Sequence, residues 1–128
     1  MRKKVFLTIA VLMLIIAAAL SGCSSEGSSI RITPEEAMYM MSNQDVIILD
    51  VRSLDEFNTG YIPGAVSLPV NEIRYAAIFM IPDVEQTILI YCRSGVRSAE
   101  AADILIDMGY RNVFDFGGIL DWTGEIQH

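Results

Sequence analysis

The chain has 128 residues, one domain by length, with 52% hydrophobic residues. Sixteen acidic residues face nine Lys and Arg, a formal net charge of −7. An acidic surface repels nucleic-acid phosphates and anionic lipid headgroups, so neither is expected as a direct electrostatic partner.

The first residues read as a leader. Met1-Arg2-Lys3-Lys4 is basic, Val5 to Leu20 is apolar or small without a charge, and Leu20-Ser21-Gly22-Cys23 ends the run. That is the order of an export signal. The rival reading is an uncleaved membrane anchor, although the sixteen residues of the run fall just short of the ~17–25 that span a bilayer. Leu20-Ser21-Gly22-Cys23 resembles the lipobox of bacterial lipoproteins. That resemblance implies that Cys23 is acylated and becomes the mature N-terminus. The expected organisation is a signal peptide over 1–22, a lipidated N-terminus and linker over 23–29, and a folded domain over 30–128.

Loss of Arg2, Lys3 and Lys4 leaves six basic residues against sixteen acidic, a net charge of −10 with no lysine. Membrane contact is then expected through the tether, since each buried CH₂ of a lipid chain adds ~0.8 kcal/mol. The linker Ser24 to Ser29 reaches at most roughly 20 Å, at ~3.3–3.6 Å per residue. The expected location is the extracytoplasmic side of a bacterial membrane, in the cell envelope. A small acidic domain on so short a linker can also serve a neighbouring envelope protein that supplies specificity.

From Ile30 onward 99 residues remain, enough for one small core. Thr33-Pro34-Glu35-Glu36 reads as a helix start with Thr as cap, Pro first and Glu three after the cap, running to about Met41. In that helix Met38, Met40 and Met41 are expected to pack rather than bind metal. Val46 to Leu49 is a short β-branched apolar run, predicted as a strand buried on both faces. Ala65 to Leu68, after the Pro63-Gly64 turn, is a weaker edge strand. Asn71 to Ile81 is predicted helical, ending before Pro82. Thr87 to Tyr91 is the second buried strand. Ser98 to Met108 is a helix stopped by Gly109. Asn112 to Phe116 is the last strand, followed by a short helix around Trp122, which should anchor it to the core. Strands alternating with helices predict an α/β domain: a parallel sheet with helices on both faces. Ligands in such sheets sit at the carboxyl ends of strands.

Cys92 stands at that end of the Thr87–Tyr91 strand, in Tyr91-Cys92-Arg93-Ser94-Gly95-Val96-Arg97-Ser98. With Cys23 acylated it has no partner for an internal disulfide, and it reads as an exposed reactive thiol. A free cysteine, pKa ~8.5, is only about 3% ionised at pH 7. Lowering that to about 6.5 needs about 2.7 kcal/mol. A helix N-terminus offers up to ~2 kcal/mol, and backbone N–H groups of a Gly-containing turn add charge-assisted hydrogen bonds. Arg93 and Arg97 add positive potential. The loop is a candidate anion cradle.

Several segments together resemble the rhodanese (sulfurtransferase) family. Leu49-Asp50-Val51-Arg52, Glu56-Phe57 and Gly60-Tyr61-Ile62-Pro63-Gly64-Ala65 are similar to its first signature. Cys92 through Ala99 looks like its active loop. Gly109-Tyr110 through Val113 and Gly117 through Trp122 resemble its closing segment. The resemblance covers nearly all of Ile30 to Trp122. It implies a single rhodanese-like domain in which Cys92 is the nucleophile. Cys92 would take a sulfane sulfur from a small anionic donor such as thiosulfate and pass it, as a persulfide, to cyanide or a thiol. Arg93, Ser94, Gly95, Val96 and Arg97 would cradle the persulfide, with the arginine side chains attracting the donor. No metal or organic cofactor is implied. The family usually has His where this chain has Tyr61.

Asp50, Arg52 and Glu56 are expected as scaffolding, with Arg52 pairing Glu56 and Asp50 bonding the active loop. Two other functions compete. A phosphatase or arsenate reductase of related fold places five residues between Cys and Arg, whereas four stand between Cys92 and Arg97. A non-catalytic or redox-sensing binding module is the other, although such modules often lose the cysteine that this chain keeps.

Overall fold

The computed structural model describes residues 27–128. The leader over 1–22, Cys23 and linker residues 24–26 lie outside the described residues. Among the described residues no helix is long and apolar enough to cross a membrane.

The elements in chain order are β1 (Ile30–Arg31), α1 (Pro34–Asn43), β2 (Val46–Asp50), α2 (Leu54–Asn58), β3 (Ala65–Ser67), α3 (Ile73–Met80), β4 (Thr87–Cys92), α4 (Val96–Asp107) and β5 (Asn112–Gly118). Single 3₁₀ turns stand at Val70–Glu72 and Ile119–Asp121. The five strands form one parallel sheet in the order β1-β5-β4-β2-β3. This is the α/β arrangement expected, with β3 on an edge.

Local chemistry sets the boundaries. At the start of α1, Thr33 Oγ1 accepts from the Glu36 N–H at 3.2 Å and Glu36 Oε2 accepts from the Thr33 N–H at 2.7 Å. Each partner satisfies a backbone donor that the helix itself leaves free. Ser53 and Glu56 repeat the device on α2, a helix that apolar periodicity does not reveal because it buries no residue. β1 is also new, being two residues long and too short for any pattern. α4 begins at Val96 rather than Ser98, because Gly95 at φ 101° turns the chain into the helix early. The expected helix around Trp122 is one 3₁₀ turn that ends there.

The alternation along β4 assigns its side chains to two cores. Ile88, Ile90 and Cys92 point into the layer that contains Ile73 and Ala77 of α3 and Ala101, Ala102 and Leu105 of α4. Leu89 and Tyr91 point the other way, with Ala37 of α1 and Phe116. Each fully buried aliphatic side chain of this strand stabilises the fold by roughly 1.5–3 kcal/mol. A one-residue slip would turn Cys92 to the opposite face, so hydrophobic register places the thiol beside the start of α4. Trp122 packs at the margin of the second core, its ring 5.7 Å from that of Phe116, and Met40 and Met41 lie partly buried there.

Polar groups are also buried at the carboxyl end of β2. Asp50 and Arg52 are 0% and 5% exposed. Arg52 Nη2 donates to Asp50 Oδ2 at 2.6 Å and to the Gly60 carbonyl at 2.7 Å, and its guanidinium lies 5.7 Å from the centre of the Tyr91 ring. The Tyr91 hydroxyl accepts from the Ile62 N–H at 3.1 Å. This cluster fastens the Gly60–Ile62 segment to the sheet. It corrects the expected pairing: Arg52 bonds Asp50, not Glu56, and Asp50 bonds Arg52 rather than the active loop. Two residues apart, with the chain leaving the strand, the side chains can converge. Glu56 is instead drawn to its own helix cap and to Arg97.

Removing one member of a buried ion pair leaves a charge without its partner, which typically costs ~3–5 kcal/mol. Asp50→Ala is expected to lose stability on that scale in urea unfolding. A loss comparable to that of an exposed substitution would show that the pair does not hold the segment.

Candidate active site

The site is built where β4 stops. Ile90 pairs with Asp115, but Cys92 pairs with Gly118, so two steps along β4 match three along β5. The extra residue falls in the Phe116-Gly117 stretch, where Gly117 takes φ 92°. A Cβ on Gly118 would stand 2.2 Å from the Arg93 carbonyl oxygen, so only glycine lets the loop after Cys92 lie this close to β5. Leu120 N–H donates to the same Arg93 oxygen at 3.3 Å.

A charged pair braces this junction from outside. Arg31 of β1 donates to Asp115 Oδ2 at 2.9 Å, and Asp115 Oδ1 accepts from the Gly117 N–H at 2.9 Å. The guanidinium lies over both left-handed glycines: a Cβ on Gly95 or Gly117 would come within 3.1 or 3.0 Å of Arg31 Nη2.

Inside the loop Cys92 is 1% exposed, so the thiol lies on its floor and not on the surface as expected. The loop closes over it because Gly95 turns back toward the strand. The Gly95 N–H donates to Cys92 Sγ at 2.9 Å, and Ser98 Oγ stands 3.6 Å from the sulfur. Burial, the largest single influence, pushes the thiol up. The Ser98 hydroxyl and the N–H groups of Ser98, Gly95 and Ser94 together outweigh it, and the net shift is downward. The shift favours the thiolate, the nucleophilic form of cysteine, relative to an ordinary thiol.

Ser98 completes the nest. Its hydroxyl is within reach of the Gly95 carbonyl at 3.1 Å and the Gly117 carbonyl at 3.3 Å. A hydroxyl has one proton to give. It can accept from a neutral S–H while donating to a carbonyl, or turn and donate to an anionic sulfur. One rotation thus serves both charge states of the site.

The two arginines differ. Arg93 is exposed and makes no ion pair among the described residues, whereas Arg97 donates twice to Glu56, at 2.7 and 2.9 Å. Hydrogen bonding from Arg97 holds the Glu56 carboxyl down to about 2 against the opposing push of burial, with Ser53 assisting. Arg97 thus ties the first turn of α4 to α2 through Glu56, and its charge still acts on Cys92. Its neighbourhood is a cleft of ≈ 460 Å³ between the segments that follow β2 and β3. Ser94 and Val96 are exposed with Arg93 and form the rim, while Gly95 is buried against the sulfur.

Tyr61 stacks on Phe57 with ring centres 4.1 Å apart. The ring of His128 bonds the Thr59 carbonyl at 3.0 Å. The sequence singles out Cys92 and its loop but does not reveal the Ser98 contact to the sulfur, the Arg31–Asp115 brace or Glu56 as the partner of Arg97. Of these only Glu56 carried a local signal, the Ser53-x-x-Glu56 capping pattern.

Replacing Ser98 by Ala removes a donor to the sulfur and leaves the N–H groups in place. The pH midpoint for alkylation of Cys92 should move upward, with the rate at high pH little changed. A midpoint that does not move would exclude Ser98 from stabilising the thiolate.

Comparisons with known proteins bear on this geometry. Residues 33–125 match the family described as "Rhodanese-like domain". A putative mitochondrial thiosulfate sulfurtransferase of Schizosaccharomyces pombe is 34% identical over 72% of this chain and 77% of its own length. The thiosulfate sulfurtransferase PspE of Escherichia coli is 33% identical over 57% of this chain and 70% of its own. Among solved structures, an E. coli rhodanese with anions superposes with a TM-score of 0.60 at 30% identity, covering 63% of this chain and 95% of that one. The match takes in both capping boxes, the buried Asp50–Arg52 pair, the Cys92 loop and the β5 bulge; this chain belongs to the rhodanese-like family.

Proposed function

We propose that this chain is a membrane-tethered rhodanese-type sulfurtransferase that carries sulfane sulfur on Cys92. The observation that carries the reading is the buried Cys92 sulfur accepting the Gly95 N–H at the floor of a loop in a member of this family. Relatives named thiosulfate sulfurtransferases support the activity.

The chemistry follows from a stabilised thiolate. Cys92 attacks the outer sulfur of a donor such as thiosulfate; a sulfur–sulfur bond forms to the protein as the donor's own breaks. Sulfite departs with the electron pair. The product, a Cys92 persulfide, holds its negative charge on the terminal sulfur, one atom further out than the thiolate. N–H groups converging from Ser94, Gly95 and Ser98 favour that anion over a neutral form. An acceptor nucleophile, a thiolate or cyanide, then attacks the terminal sulfur and releases the Cys92 thiolate. Electrons balance over the cycle, so no redox cofactor takes part. Arg93 at the rim supplies the positive potential that draws the anionic donor. A compact nest suits a single sulfur better than a tetrahedral oxyanion.

Export and a lipid on Cys23 complete the reading. The basic start, the uncharged run to Leu20 and the Leu20–Cys23 sequence support it.

The test pairs two substitutions in the full-length protein. Cys92→Ser should lose thiosulfate:cyanide activity by at least about a hundredfold and should not gain the one-sulfur mass increment that wild type acquires from thiosulfate, since the nucleophile splits the reaction into its two steps. Cys23→Ala should keep that activity in the soluble fraction and lose fatty-acid labelling. Activity retained without Cys92 would reject the persulfide route, and label retained without Cys23 would reject the tether.

A further inference from the structure

α3 has one more apolar face than the core needs. Its sequence, Ile73-Arg74-Tyr75-Ala76-Ala77-Ile78-Phe79-Met80, contains a single charge. Ile73 and Ala77 are fully buried against the sheet. Tyr75, Ile78 and Phe79, spaced i, i+3 and i+4, lie on the opposite side and are 78%, 48% and 84% exposed. A helix that is apolar all round is normally covered on all sides. Single exposed apolar residues need no explanation, but an aligned set with two aromatic rings marks a contact surface.

The course of the chain indicates what covers it. At the start of the described residues, a Cβ on Gly27 would lie 3.6 Å from Ile106 Cδ1 and 3.8 Å from the Tyr110 carbonyl, at the far end of α4. That end of α4 is joined to α3: Arg74 pairs with Asp107 at 3.5 Å, and the Tyr110 hydroxyl donates to the Ile81 carbonyl at 2.6 Å. Packed helices lie ~8–10 Å apart. Gly27 is four residue steps from Cys23, a reach of at most roughly 14 Å at ~3.3–3.6 Å each. A lipid on Cys23 therefore brings the bilayer to the helical layer that contains α3.

We propose that the outer face of α3 rests in the headgroup layer of a zwitterionic phospholipid bilayer, with Tyr75, Ile78 and Phe79 entering it. The inference rests on the tethered reading above. Tyr and Phe are amphipathic or apolar rings of the kind that settle at the membrane interface. Glu72, Asp83, Glu100, Asp103 and Asp107 are exposed on and around the same layer, which disfavours an anionic surface. A weak insertion of three side chains is sufficient here, because the tether has already removed most of the entropy of association. The contact sets how the Cys92 loop faces the membrane.

The test uses the full-length protein, purified from bacterial membranes and reconstituted into phosphatidylcholine vesicles. In a Trp122→Phe background, Phe79→Trp provides a single fluorophore on α3, and Tyr39→Trp provides one on α1 in the opposite layer. Vesicles whose acyl chains carry bromine should quench Phe79→Trp by about half and shift its emission to the blue, as expected for a face held ~5–10 Å into the headgroup and acyl boundary. Tyr39→Trp should be unaffected. If the protein carries fatty-acid label and stays with the vesicles but Phe79→Trp is no more quenched than Tyr39→Trp, the bilayer contact is rejected and the tether stands. If no label is incorporated and Cys23→Ala behaves as wild type, the tether reading fails and this inference fails with it.

Discussion

The site depends on one close approach, the Arg93 main chain lying against Gly118. A strand leading directly into a helix would carry the cysteine past the end of the sheet and into solvent. Here the register break between β4 and β5 holds the first loop residue down, and Gly118 leaves no Cβ in the way. The chain then reverses at Gly95 within three residues of Cys92, and its N–H groups face inward. Arg31 and Asp115 lie across the outside of both glycine turns, so β1 supports the site from two residues at the sheet's edge. The nest is a product of backbone geometry more than of charged side chains.

That geometry decides the electrostatics. A buried cysteine is ordinarily neutral and inert, because low-dielectric surroundings penalise the thiolate. Hydrogen bonding from the Gly95 N–H and the Ser98 hydroxyl, with the nearby N–H groups of Ser94 and Ser98, turns the net shift at Cys92 downward. Arginine contributes less than its proximity in sequence implies. Arg97 is tied by two hydrogen bonds to Glu56, and what it gives the site is the placement of α4 against α2. Because the stabilising groups are fixed before any donor arrives, the proposed movement of charge from Sγ to the terminal sulfur of a persulfide would need little reorganisation.

The fold was largely legible because two of its strands, β2 and β4, are short, mostly apolar and bounded by clear turn signals. Val46 to Leu49 and Thr87 to Tyr91 announce themselves by β-branched runs, and Thr33-Pro34-Glu35-Glu36 announces α1 by its cap. β1 was illegible, since two residues have no period and their pairing with β5 spans more than eighty positions. α2 hid for a different reason: it buries nothing, and only its capping box marks it. At the site, Cys92 and the loop glycine could be read from their place between strand and helix. Partner choice could not. Arg52 had carboxylates two and four residues away, and the nearer won because both are buried where a lone charge is costly. Ser98 gave no signal, because a serine in the first turn of a helix has many ordinary uses. The burial of the thiol depended on the bulge opposite it, which no local pattern encodes.

Backbone and Ser98 hydrogen bonds lower the pKa of the buried Cys92 thiol. The most direct measurement is a titration of the Cys92 side-chain carbon by nuclear magnetic resonance in wild type, assigned by its absence in Cys92→Ser. A midpoint below the ~8.5 of an ordinary thiol is expected. A midpoint at or above that value would mean that burial prevails and that the loop does not stabilise the thiolate.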